Sequence, residues 1–219
     1  MNKTRVDGYG VQRAGAASED VMSGREWLES FKKHYECKIE DYEEGLKGHK
    51  EEGGEWTSFI VSRVIGAVGE DFGCYVVSRG KQKAGESGEY LNIDALFLDE
   101  SVAPILYNAK SEYDDPRILP KAAIEHENLY DPDKISYCLW KILCVRAVVR
   151  VLICYQKNES KVGELKRLLE KIIRAGELME GEDGDLLVII ANEKNGGKPF
   201  EEYFSVFEWR NDRLEEIEV

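Results

Sequence analysis

Long apolar runs are missing from this chain. None approaches the ~18 residues that a membrane-spanning helix needs. The first residues, MNKTRVDGYGVQRAGAAS, lack the apolar centre of a secretion signal, so a cytoplasmic protein without membrane attachment is expected. The five cysteines (37, 74, 138, 144 and 154) form no C-x-x-C pair, and four stand among apolar neighbours. They read as buried, reduced thiols rather than a zinc site. G-x-S-x-G, P-loop and G-x-G-x-x-G patterns are all absent. Serine hydrolase, NTPase and Rossmann readings therefore have no support. Basic residues are outnumbered, 30 against 43, for a net charge of −13. That argues against broad nucleic-acid affinity, since phosphates are contacted mainly by Lys and Arg. The deficit is uneven: residues 57–156 carry only −3, and several of their acids are candidate metal ligands.

What is present is enough for a sizeable core. The chain has 219 residues, 42% of them hydrophobic. That suits one domain, or one domain with a helical extension. We read residues 1–54 as a loose tail plus an amphipathic helix, and 55–219 as an α/β domain. Trp27, Leu28, Phe31, Tyr35 and Ile39 recur at three- and four-residue steps, which predicts a helix over 24–46. Its apolar stripe has two uses open, packing within the monomer or forming a homodimer. A second helix is expected over 56–72, with Phe59, Ile60, Val64, Ala67 and Val68 inside and Glu70 in its last turn. Strands are expected at 74–79, 91–98, 104–109, 122–128, 150–155, 185–192 and 203–209, and helices at 132–147 and 160–178. The fold class is α/β, a mixed central sheet flanked by helices with a C-terminal antiparallel hairpin.

The misfit is acidic. Asp94 stands in an apolar strand, NIDALFL, and Glu125 and Glu127 alternate along KAAIEHEN. Strand interiors rarely hold carboxylates unless a cation or donor satisfies them. Glu125 and Glu127 point the same way, roughly 6.6 Å apart, while His126 points the other way and is read as a packing residue. Mg²⁺ or Mn²⁺ favours such oxygens and keeps several waters. Asp94, Glu125 and Glu70 are the candidate ligands, and Glu127 the candidate base. Arg79, Lys81 and Lys83 form the densest basic group nearby, suited to contacting phosphate or to solvating a hairpin.

The order of helix with Glu70, strand, strand with Asp94, strand with Glu125-His126-Glu127, helix and strand resembles the core of the PD-(D/E)xK nuclease superfamily, over residues 57–156. The resemblance implies a restriction-endonuclease-like fold and metal-dependent hydrolysis of DNA. Asp94 matches the family's Asp and Glu125 its second acid. Glu127 replaces the family's lysine, as in E-x-E members. Two other sources of a lysine stay open. A second register puts Asn108-Ala109-Lys110 on the third strand, and the following helix offers Lys134 or Lys141. The alternative function is a nuclease-fold protein without catalysis, acting as a nucleic-acid or protein interaction module.

Overall fold

The computed structural model describes residues 22–46, 53–78, 92–100, 120–176, 179, 184–195 and 199–219. The first helix, α1, is Gly24–Leu46. It opens on a capping box. Ser23 N and Oγ both donate to Glu26 Oε2, at 2.9 and 2.8 Å, and Glu26 N donates back to Ser23 Oγ at 3.2 Å. Met22 and Trp27, at the two positions of a hydrophobic staple, both join the core.

The expected helix over 56–72 is one helical run in three pieces. α2 (Gly53–Ser58) passes into a π-helical turn, Phe59–Val64, and then into α3 (Ile65–Asp71). The wider turn brings Phe59, Ile60, Val61 and Val64 inside together. Ala67, expected inside, is only half-buried. Gly69 faces β1. A Cβ added there would run into Val76 Cγ2 and touch Phe97. Gly69→Ala is therefore expected to lower stability by ~1–3 kcal/mol, despite alanine's better helix propensity. Urea unfolding of the two proteins checks this, and an unchanged or raised midpoint would refute the tight contact.

Seven strands form one sheet in chain order: β1 (Cys74–Ser78), β2 (Ala95–Asp99), β3 (Ala122–Glu127), β4 (Val149–Gln156), β5 (Asp185–Asn192), β6 (Phe204–Arg210) and β7 (Arg213–Glu216). β1, β2 and β3 are an antiparallel meander. β3, β4 and β5 are parallel, joined through α4 (Pro132–Leu143) and α5 (Glu159–Gly176). β5, β6 and β7 are antiparallel again. A short helix, α6 (Phe200–Tyr203), precedes β6. β7 lies beyond the last strand expected, 203–209. Asn211 and Asp212 both take positive φ, 50° and 59°, which is what a two-residue hairpin turn requires.

α1 to α3 cover one face of the sheet and α4 and α5 the other, each over its own apolar cluster. β4 is buried along its whole length, as its continuous apolar run predicts. The α1 stripe is used inside the protomer. Trp27 and Phe31 are 0% exposed and Tyr35 1%. Phe31 meets Trp27, Phe200 and Phe204 at ring-centroid distances of 5.2, 5.9 and 6.1 Å. Gly24 N donates to Asp185 Oδ2 at 2.6 Å, fixing the start of α1 to the start of β5. Among the described residues no helix is long and apolar enough to cross a membrane.

Three expectations shift. The strand expected from residue 91 begins at Ala95, because Asn92 adopts φ 55° and breaks the extended chain. Ile93 accordingly packs with Leu96 rather than with Ala95 and Phe97. The helix expected to reach 147 ends at Leu143, and the buried Arg150 donates Nε to Val145 O just beyond it, at 2.9 Å. Two cysteines, Cys37 and Cys144, are exposed; the other three are buried, and all five are free thiols. The strand expected at 104–109 lies outside the described residues.

Candidate active site

Strand parity builds the site. Ala95 pairs with Ile124, so the register carried one step further sets Asp94 opposite Glu125. Residues directly opposite in an antiparallel pair project to one side. Here it is the side covered by α4, since Leu96 and Ala123 belong to the cluster beneath that helix. Asp94 is 8% exposed and Glu125 1%. Asp94 is held from below, its Oδ2 accepting the backbone N–H of His126 at 2.9 Å.

α4 brings the cation. It is capped by Asp131, whose side chain accepts Asp133 N, with Pro132 in the first turn. Ile135, Leu139 and Ile142 pin its inner stripe and set the rotation of Lys141. Lys141 Nζ lies 2.6 Å from Glu125 Oε1 and donates to Asn92 O at 2.7 Å. Burial, and next the Asp94 charge, push the Glu125 carboxyl up, and Lys141 and Cys138 oppose them; the result is about 7. Burial alone would lower the Lys141 ammonium, but the hydrogen bond and charge of Glu125, with Asp94 behind it, hold it above its usual value. The Cys138 thiol is raised by burial and by Glu125.

Asp94, Glu125 and Lys141 are thus brought together. The other candidates are not. Glu127 shares the face of Glu125, but its Oε1 accepts Leu129 N at 2.9 Å, turning that oxygen to the β3–α4 connection. Glu70 is exposed, on α3 across the sheet. Its turn leads into Cys74, which pairs with Asp99 at the far end of β2. Lys134 is exposed in the first turn of α4. Arg79, Lys81, Lys83 and Lys110 lie outside the described residues. His126 points away from the acids, as its parity requires. It packs edge-on to Tyr155, with Nε2 2.8 Å from the hydroxyl, which accepts Trp56 Nε1 at 2.7 Å. Burial holds the His126 imidazole down at about 3, so it is neutral.

One feature escaped the sequence. Tyr137 and Trp140 are 58% and 49% exposed and stack on each other, centroids 5.9 Å apart at 22°. Lys141 Nζ lies 5.6 Å from the Tyr137 ring centre. The signal was there, since both residues fall off the α4 core stripe.

Two carboxylates and an ammonium on one face fit a hard divalent cation that keeps most of its waters. The donors are oxygens, and burial, with the Asp94 charge next, holds the Glu125 carboxyl up despite Lys141. Among the described residues no group of three or more His, Cys, Asp or Glu gathers as a metal centre, and Asp94 and Glu125 are the two candidate ligands there. No family model, curated protein or solved structure matches the chain.

Proposed function

We propose that the chain is a cytoplasmic, metal-dependent phosphodiesterase acting on DNA, built on a PD-(D/E)xK-like core. The carrying observation is the ion pair of Lys141 with Glu125, on the face where Asp94 stands opposite. The frame supports it: a helix, an antiparallel three-stranded meander, a helix and a fourth strand parallel to the third. Free thiols without disulfides suit a reducing compartment.

In this reading Asp94 and Glu125 would hold Mg²⁺ or Mn²⁺. Such an ion supplies an acidified water and neutralises charge on the scissile phosphate. The His126 amide orients the Asp94 carboxylate. Lys141 orients Glu125 and offers positive charge to the phosphate oxygens as they gain charge. Glu127 remains the candidate proton acceptor, after leaving its Leu129 contact. Tyr137 and Trp140 offer an exposed ring face to an unpaired base beside the acids, a contact that needs no basic surface. The chain leaves β1 at Ser78, which pairs with Ala95 next to Asp94. Arg79, Lys81 and Lys83, outside the described residues, remain the candidates for phosphate contact.

The second reading, a nuclease-fold interaction module, is favoured by the partial neutralisation that Lys141 already gives Glu125. Supercoiled plasmid decides between them. Nicking with Mg²⁺ or Mn²⁺, stopped by EDTA, is expected. Absence of nicking together with absence of Mn²⁺ binding in calorimetry would sink the hydrolytic reading.

A further inference from the structure

A second polar site lies on the same face, at the carboxyl ends of the parallel strands. α4 and α5 both start there, at Pro132 and Glu159. Between their first turns is a cleft of about 400 Å³, within the range of small-molecule sites. It is lined by Tyr130, Pro132, Gln156, Lys157, Lys161 and Leu165, among others.

Gln156 is the telling residue. It ends β4 and shares the parity of Leu152 and Cys154, which pack beneath the helices, so its side chain stands on their side. It is only 5% exposed, yet its amide has no side-chain hydrogen bond in the described structure. Its amide is not one of the polar atoms sealed from water without a partner, so it opens into the cleft that it lines. Its register partner on β5, Asn192, is a second buried amide.

We propose that this cleft binds a nucleoside monophosphate. The Gln156 amide offers a donor and an acceptor side by side, which matches the edge of a base. The Tyr130 ring, with Lys157 Nζ 5.4 Å from its centre, supplies a stacking face. The phosphate goes to the start of α5, where first-turn N–H groups favour an anion. That end is capped by a neutral group, Asn158 Oδ1, which accepts Lys161 N at 3.1 Å. The start of α4 is closed to an anion by the carboxylate of Asp131. Lys161 now pairs with Glu164 at 2.5 Å, but both side chains are about half exposed, and such pairs exchange partners readily. With Glu159 and Glu164 beside the two lysines, the cleft is not strongly basic, so the base contacts carry the larger share. This site does not rest on the hydrolytic reading.

Calorimetric titration of the full chain with dAMP, dTMP, the matching nucleosides and inorganic phosphate tests it. At least one nucleotide is expected to bind tenfold or more tightly than phosphate. Gln156→Met keeps the side-chain length and is expected to fold at least as stably, to weaken nucleotide binding about tenfold, and to leave phosphate unaffected. Lys157→Ala is expected to narrow the gap between nucleotide and nucleoside. Failure of both nucleotides to bind at millimolar concentration, or binding indifferent to Gln156→Met, overturns the proposal. A short single-stranded oligonucleotide, tested on Asp94→Ala protein, separates the sources. If Gln156→Met weakens it too, the nucleotide is a unit of a strand; if only the monomers respond, it is a free metabolite.

Discussion

Asp94→Ala is expected to abolish metal-dependent plasmid nicking, and Lys141→Met to reduce it at least a hundredfold. The first removes one of the two carboxylates proposed to hold the metal. The second removes the charge proposed to face the phosphate, an effect worth ~10²–10³ in rate at comparable sites. Lys141→Met also has a stability signature that a surface lysine would lack. It leaves Glu125, 1% exposed, facing Asp94 without its cation. Breaking a buried pair this way costs ~3 kcal/mol when the orphaned group must stay charged. Glu125 escapes part of that cost by taking a proton. The loss is therefore expected to be about 3 kcal/mol at pH 8 and about 1 kcal/mol at pH 6. Urea unfolding at both values reads it, and Glu125→Gln added to Lys141→Met should recover most of the deficit. Equal losses at the two pH values would mean that Lys141 is not held there by charge.

The wild-type sign follows from the same group. The Glu125 carboxyl sits at about 7 in the folded chain against an ordinary 4.5. Between those values the folded chain retains a proton that the unfolded chain has released. Its contribution is complete below about 4.5 and is lost as pH rises through 7, by up to ~3 kcal/mol in metal-free protein. Glu125→Gln should flatten that slope. Mn²⁺ affinity should rise with pH across the same window, because the ion and the proton compete for one carboxylate.

The second large effect is expected far from the acids. Phe31→Ala should cost ~4 kcal/mol, as for other fully buried aromatics, and lower the melting temperature by roughly 10 °C in a chain of this size. Phe31 is 0% exposed and wedged among Trp27, Phe200 and Phe204. A loss below 1 kcal/mol would show that α1 is dispensable to the sheet.

Much of this was legible because strands obey a period of two. Alternation in KAAIEHEN separates Glu125 and Glu127 from His126, and the structure keeps that separation. The stripe of α1 marks its helix from 24 to 46, the bounds observed. The source of the lysine was not legible. Whether Lys134 or Lys141 reaches Glu125 depends on how α4 is rotated over β3. Packing of Ile135, Leu139 and Ile142 sets that rotation, and no local pattern states it. Glu70 fails for a similar reason: its helix lies on the opposite face, and sequence order carries no face label. The π-helical turn was hidden because apolar residues at 59, 60, 61, 64 and 65 satisfy an α-helical template nearly as well. Asn92, a left-handed break beside Asp94, looked like an ordinary strand residue.

The docking of α1 bears on how the chain reaches this state during synthesis. Every strand pairs with its predecessor, so the sheet can grow as the chain emerges. α1 follows that order only in part: Tyr35 meets Phe59 and Ser30 Oγ donates to Asp71, but the rest must wait. Its partners Asp185, Phe200 and Phe204 are made some 140 residues or more after it. Until then Phe31 and Tyr35 lack the rings of Phe200 and Phe204, although Tyr35 already meets Phe59. That aromatic stripe is where a chaperone would bind the nascent chain, and where aggregation would start if the C-terminal strands were truncated.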